Sequence, residues 1–103
     1  MSEQKYGPSA VGSVVMNLGG DIGALIIEAG RAQLGSEIEI SPAAGGTRTH
    51  SMVRERLTRP DPRYDAVYPD LAAGEYTIWR DARTPTATVA VVGGQITHFA
   101  WAQ

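Results

Sequence analysis

The stretch Tyr68–Asp81, "YPDLAAGEYTIWRD", reads as a strand end, a tight turn and a second strand. Leu71 stands as an apolar plug just after the first strand. Gly74 supplies turn geometry, because a residue without Cβ enters positive φ at little cost. "EYTIW" then sets Tyr76 and Ile78 against Glu75, Thr77 and Trp79, the period of two of a half-buried strand.

The same punctuation runs outward in both directions. Upstream, "YDAVYP" is a strand from Tyr64 to Tyr68, preceded by the loop "TRPDPR", stiffened by Pro60 and Pro62. Residues 47–57, "TRTHSMVRERL", form one longer strand with neither face cleanly apolar, which predicts a bulge or an edge position. "SEIEISP" alternates strictly, with Ile38 and Ile40 inward and Glu37 and Glu39 outward. Residues 29–35 read as a loop or one helical turn. Residues 22–28, "IGALIIE", are apolar on both faces, as in a central strand covered on both sides. Residues 12–18 favour a further strand with Val14, Met16 and Leu18 on one face. Downstream, "ATVAVV" (87–92) and "QITHFAW" (95–101) predict a closing hairpin around Gly93–Gly94. Seven or eight short strands with no convincing helix imply an all-β, antiparallel β-sandwich. Residues 1–10 read as a loose polar tail and 11–103 as one domain.

Composition narrows the function classes. The chain has 103 residues, 43 % of them hydrophobic, which suits one domain with a modest core. Nine basic residues against eleven acidic ones give a net charge of −2 and no reason to expect nucleic acid. There are no cysteines, so disulfides, thiolate zinc sites and a cysteine nucleophile are excluded. No apolar run approaches a membrane span and the N-terminus lacks an apolar signal core, so a cytoplasmic protein is expected.

The residues around "YDAVYPDLAAGEYTIW" and "ATVAVVGGQITHFAW" resemble the transthyretin-like and carboxypeptidase-regulatory-like sandwiches and the related Cna-B-type domains. Leu71, Ala72, Ala73, Gly74 and Tyr76 stand in the family's Leu-Pro-Ala-Gly-like turn, with Ala72 where proline is usual. The likeness covers the C-terminal part of the chain; the N-terminal part matches in strand count alone. The chain also resembles small bacterial proteins with "GGDIGAL" and "RTHSMVRER"-type segments, a likeness that implies no activity. Three activities of such sandwiches lack their residues here. The chain ends "HFAWAQ" rather than in the Tyr-Arg-Gly-Ser tail of hydroxyisourate hydrolases. It has no His-x-His pair for the iron of intradiol dioxygenases. Its only lysine is Lys5, in the expected tail, so an isopeptide bond of the Cna-B kind is not expected.

Two sets of residues remain as candidates. His50 and His98, the only histidines, would serve acid–base or metal chemistry if they met beside a carboxylate; each is otherwise a polar residue on a strand face. Arg48, Arg54, Arg56, Arg59 and Arg63 crowd one region. They suit either an anionic ligand or a solvated strand balanced by Glu55, Asp61 and Asp65. Asp21 reads as a turn cap. Trp79 falls opposite Tyr76 and Ile78, so an outer-face Trp79 would be an anchor for a partner. Two functions follow. The first is a non-catalytic interaction module that binds a protein partner or forms a homo-oligomer through a sheet face or edge. The second is an anionic-ligand or metal-binding protein, or an enzyme, with its site around His50, Arg54, Arg56 and His98. The first is favoured, with no cofactor, nucleic acid or membrane.

Overall fold

The computed structural model describes the backbone of Ser9–Ala10 and residues 18–101. The strand expected over 12–18 lies, Leu18 apart, outside the described residues. Among the described residues nine strands follow one another: β1 (Ser9–Ala10), β2 (Ile22–Ala29), β3 (Glu37–Pro42), β4 (Thr49–Met52), β5 (Arg54–Leu57), β6 (Arg63–Ala72), β7 (Gly74–Trp79), β8 (Pro85–Val91) and β9 (Ile96–Ala100). A 3₁₀ turn, Arg31–Gln33, breaks the series. The strands form a five-stranded sheet, β1-β5-β6-β2-β9, and a four-stranded sheet, β4-β3-β7-β8. The chain is an all-β sandwich. No helix among the described residues is long and apolar enough to cross a membrane.

The core lies between the sheets. Leu25, Ile27, Ala66 and Tyr68 enter it from one side; Ile38, Ile40, Tyr76, Ile78 and Val91 enter from the other. A fully buried Leu or Ile side chain stabilises by ~1.5–3 kcal/mol, so the alternation in β3 and β7 is what places those strands. In β2 the opposite side is also sunk: Ala24 is 0 % and Ile26 3 % exposed. The run that reads as apolar on both faces is therefore covered on both. Two polar links cross the core. The Tyr68 hydroxyl donates to the Ile38 carbonyl, and Ser51 Oγ donates to the Val67 carbonyl at 2.9 Å.

The stretch Tyr68–Asp81 is a passage between sheets. β6 is longer than expected and contains Leu71, which pairs with Gly23 rather than following the strand end. Only Ala73 separates β6 from β7, and Gly74 takes a φ of +150°. Tyr76 is inward, and its hydroxyl donates 2.7 Å back to the Ala72 carbonyl, a corner of the tyrosine-corner type.

Two expectations are corrected. Residues 47–57 are two strands in different sheets, not one. The chain crosses at Val53, which is fully buried; its N–H donates to the Ser36 carbonyl and its carbonyl accepts from Gly35 N–H, so neither group stays in a sheet ladder. The closing hairpin does not form either. β8 pairs with β7, whereas β9 crosses to the other sheet and pairs parallel with β2. Gly93 packs so closely on the Gly19–Gly20 turn that a Cβ there would lie 1.8 Å from the Gly20 carbonyl oxygen. The sandwich therefore contains parallel pairs, β2 with β9 and β1 with β5, among otherwise antiparallel ones.

Candidate functional site

The candidate residues divide between the two outer faces of the sandwich. On the four-stranded sheet, Ile38 and Ile40 point inward, so Glu37 and Glu39 point outward. The register sets His50 on one side of Glu39 and Trp79 on the other. Trp79 is half-buried on this outer face, as its alternation with Ile78 requires. Its Nε1–H donates to Ser41 Oγ at 3.0 Å, which explains how Ser41 is buried beneath it. The Arg48 guanidinium lies 3.7 Å from the ring centroid and pairs with Glu39 at 2.8 Å. His50 Nε2 sits 4.0 Å from Glu37, both largely exposed.

An open groove of about 240 Å³ runs beside the indole, lined by Glu37, Glu39, Trp79, Arg80, Asp81 and Ala82. Asp81 Oδ1 accepts from the N–H groups of Arg83 and Thr84, each at 2.9 Å. The Arg83 bond first, and then Thr84, hold its carboxyl below the ordinary carboxylate value, so it stays charged at the rim. The groove thus combines an aromatic wall with three carboxylates, of which Glu39 is paired with Arg48, and with one arginine, Arg80.

The outer face of the five-stranded sheet holds Arg54, Arg56 and His98. Arg54 stands opposite Asp65, which stands opposite Glu28. Arg56 pairs with Asp65 at 2.7 Å; the Asp65 side chain is 1 % exposed, so this is a buried ion pair. His98 Nδ1 lies 2.9 Å from Glu28 Oε2 on the same face.

The site expected around His50, Arg54, Arg56 and His98 is therefore not one site. His50 is outside one sheet and the other three are outside the other. Among the described residues no group of three or more His, Asp or Glu is set to hold a metal. Ser51 points inward and His50 outward, so no Ser–His pair forms either. Trp101 and Phe99 pack against the core, on the side away from Ile96 and His98.

Glu39, Ser41 and Asp81 were not singled out as ligands from sequence, and Arg48 was read only as one of a cluster of arginines suited to an anion. Glu39 and Trp79 both read as outward, yet nothing local says that β3 and β7 are neighbours. Comparisons of the chain with protein-family models, with curated proteins and with solved structures found no match.

Proposed function

We propose that this chain is a non-catalytic interaction module, an accessory subunit or adaptor, that takes a protein partner on the outer face of its four-stranded sheet. The partner presents a basic side chain, arginine or lysine, to the groove beside Trp79. The observation behind this reading is the Arg48–Trp79–Glu39 stack: a guanidinium already rests on the indole and pairs with a carboxylate. That chemistry suits a second cation, because Glu37 and Asp81 supply further negative charge along the groove. A cation over an indole contributes ~0.5–1 kcal/mol when exposed and ~2 when desolvated by a docked partner. Half-buried tryptophans with a fixed ring orientation are also the usual centres of binding energy at interfaces.

The test is a titration with short arginine-containing peptides and their citrulline counterparts, followed by fluorescence anisotropy. Binding should need the arginine charge, weaken with salt, and disappear in Trp79→Ala while surviving in Trp79→Phe. Binding that is indifferent to Trp79→Ala would remove the groove from the argument.

A further inference from the structure

We propose that Arg48 is an internal stand-in for the ligand: its guanidinium holds the indole of Trp79 until an arginine of the protein partner displaces it. The inference rests on the reading of the groove as a site for a basic side chain. It names that side chain as arginine, and it names the exchange that admits it. Two groups here suit a guanidinium, the Trp79 ring and the Glu39 carboxylate, and Arg48 holds both. Its Cζ lies 3.7 Å from the ring centroid, and its Nη1 pairs with Glu39 Oε1 at 2.8 Å. Glu39 also lines the groove, whereas Arg48 does not. A cation that enters the groove therefore meets a carboxylate already engaged, and competes with Arg48 for it.

Arg48 is held weakly and the ring firmly. Arg48 precedes β4 and stands outside its ladder, whose last pair is Ile40 with Thr49. The side chains of Arg48 and Glu39 keep 33 % and 45 % exposure, so their ion pair is solvated and cheap to open. Trp79, by contrast, lies in β7 with Glu39 and Pro85 as its neighbours in register. Its Nε1–H bond to Ser41 Oγ, at 3.0 Å, orients the indole without help from Arg48. The ring therefore stays in place when Arg48 leaves. An incoming arginine remakes both contacts, because a planar guanidinium stacks on an aromatic face while its N–H groups fork onto a carboxylate. A lysine ammonium is a point charge and remakes them less well. Three carboxylates, Glu37, Glu39 and Asp81, face one arginine, Arg80, in the groove lining. That negative balance favours a cation reaching along the groove over Arg48, which touches only one of the three.

The probe is the capped tripeptide acetyl-Gly-Arg-Gly-amide, with its lysine counterpart, followed by NMR of protein carrying isotope-labelled arginine. The δ-methylene signals of Arg48 are assigned by their absence from Arg48→Lys. In the free protein the ring current of Trp79 should hold them upfield. Saturating arginine peptide should return them to the ordinary arginine position, while the peptide's own δ-methylene signals move upfield in their place. Arg48→Gln, its fold checked by circular dichroism, should bind the arginine peptide roughly three- to thirtyfold more tightly, the combined worth of an exposed cation–indole contact and an exposed ion pair. The lysine peptide should bind more weakly than the arginine peptide to both proteins. Trp79-dependent binding that leaves the Arg48 signals upfield, or that is no tighter in Arg48→Gln, overturns the exchange and leaves the Trp79 groove standing. Equal binding of the two peptides overturns it as well. No binding in either the wild type or Arg48→Gln sinks the groove and this inference with it. Binding seen only in Arg48→Gln, and lost again when Trp79→Ala is added, supports both.

Discussion

Gly93 and Gly94 separate two accounts of the C-terminal strands. If β8 and β9 formed a simple hairpin, Gly94 would be the demanding position, because its φ is +78°. In the crossing seen here Gly93 is the demanding one. An added Cβ would sit 1.8 Å from the Gly20 carbonyl oxygen and 2.9 Å from its carbon, both backbone atoms of a neighbouring turn. The two turns must then separate by more than an ångström. Separation breaks the Gly94 N–H bond to the Ile22 carbonyl, at 2.8 Å, and the Ala24 N–H bond to the Gln95 carbonyl, at 3.0 Å. Each backbone bond contributes ~1 kcal/mol, and the Ala24 N–H, on a fully buried residue, costs a further ~1–3 kcal/mol when left unpaired. Gly93→Ala should therefore lose about 3–5 kcal/mol. Gly94→Ala meets no atom within 4 Å and carries only left-handed strain, ~1–2 kcal/mol. Urea unfolding followed by tryptophan fluorescence reads both. With a slope of ~1–3 kcal/mol/M, Gly93→Ala should move the midpoint by more than about 1 M and clearly further than Gly94→Ala. The reverse order, or a Gly93→Ala midpoint equal to wild type, would refute the close approach of the two turns.

Other outcomes follow from the same packing. Arg56→Leu strands the Asp65 carboxylate, 1 % exposed, without its ion-pair partner, and should cost ~3–5 kcal/mol in urea unfolding; Arg56→Leu combined with Asp65→Leu should recover most of that loss. Tyr68→Phe should cost ~1–3 kcal/mol, because the Ile38 carbonyl loses its donor inside the core. Tyr68 also gives the fold an alkaline limit. Burial, with a smaller push from Glu39, raises its ionisation well above the ordinary 10.0. The folded state then keeps a proton that the unfolded state releases, so this contribution is complete below pH 10.0 and shrinks as pH rises from there towards the raised folded value. Stability should fall by up to ~1.4 kcal/mol per pH unit in that range, with a shallower fall in Tyr68→Phe.

Some of this was legible one strand at a time. Alternation in "EIEI" and "EYTIW" says which side chains enter a core, and Ile38, Ile40, Tyr76 and Ile78 do. The doubly apolar "IGALIIE" says that both faces are covered, and Ala24 to Ile27 are buried. Trp79 on the outer face follows from Ile78 on the inner one. Strand pairing was not legible. "ATVAVVGGQITHFAW" satisfies a hairpin and a crossing equally, since both need two alternating runs and small residues between them. In "TRTHSMVRERL" the lack of a cleanly apolar face signals an edge position, which β4 has, but nothing in the pattern marks Val53 as the point where the chain changes sheet. Candidate sites fail for the same reason. His50 and His98 read as possible partners until the sheets set them on opposite outer faces.

By itself, then, the sequence determined the fold class, the inward side of β3 and β7, and the exclusion of cysteine and disulfide chemistry. Those are short-range properties, written in a period of two and in composition. The tertiary structure alone decided that β9 joins β2, that Val53 turns the chain between sheets, and that Arg48, Glu39 and Trp79 form one stack. These contacts join residues far apart in the chain, and their energy depends on which strands lie side by side, a quantity that no local pattern encodes.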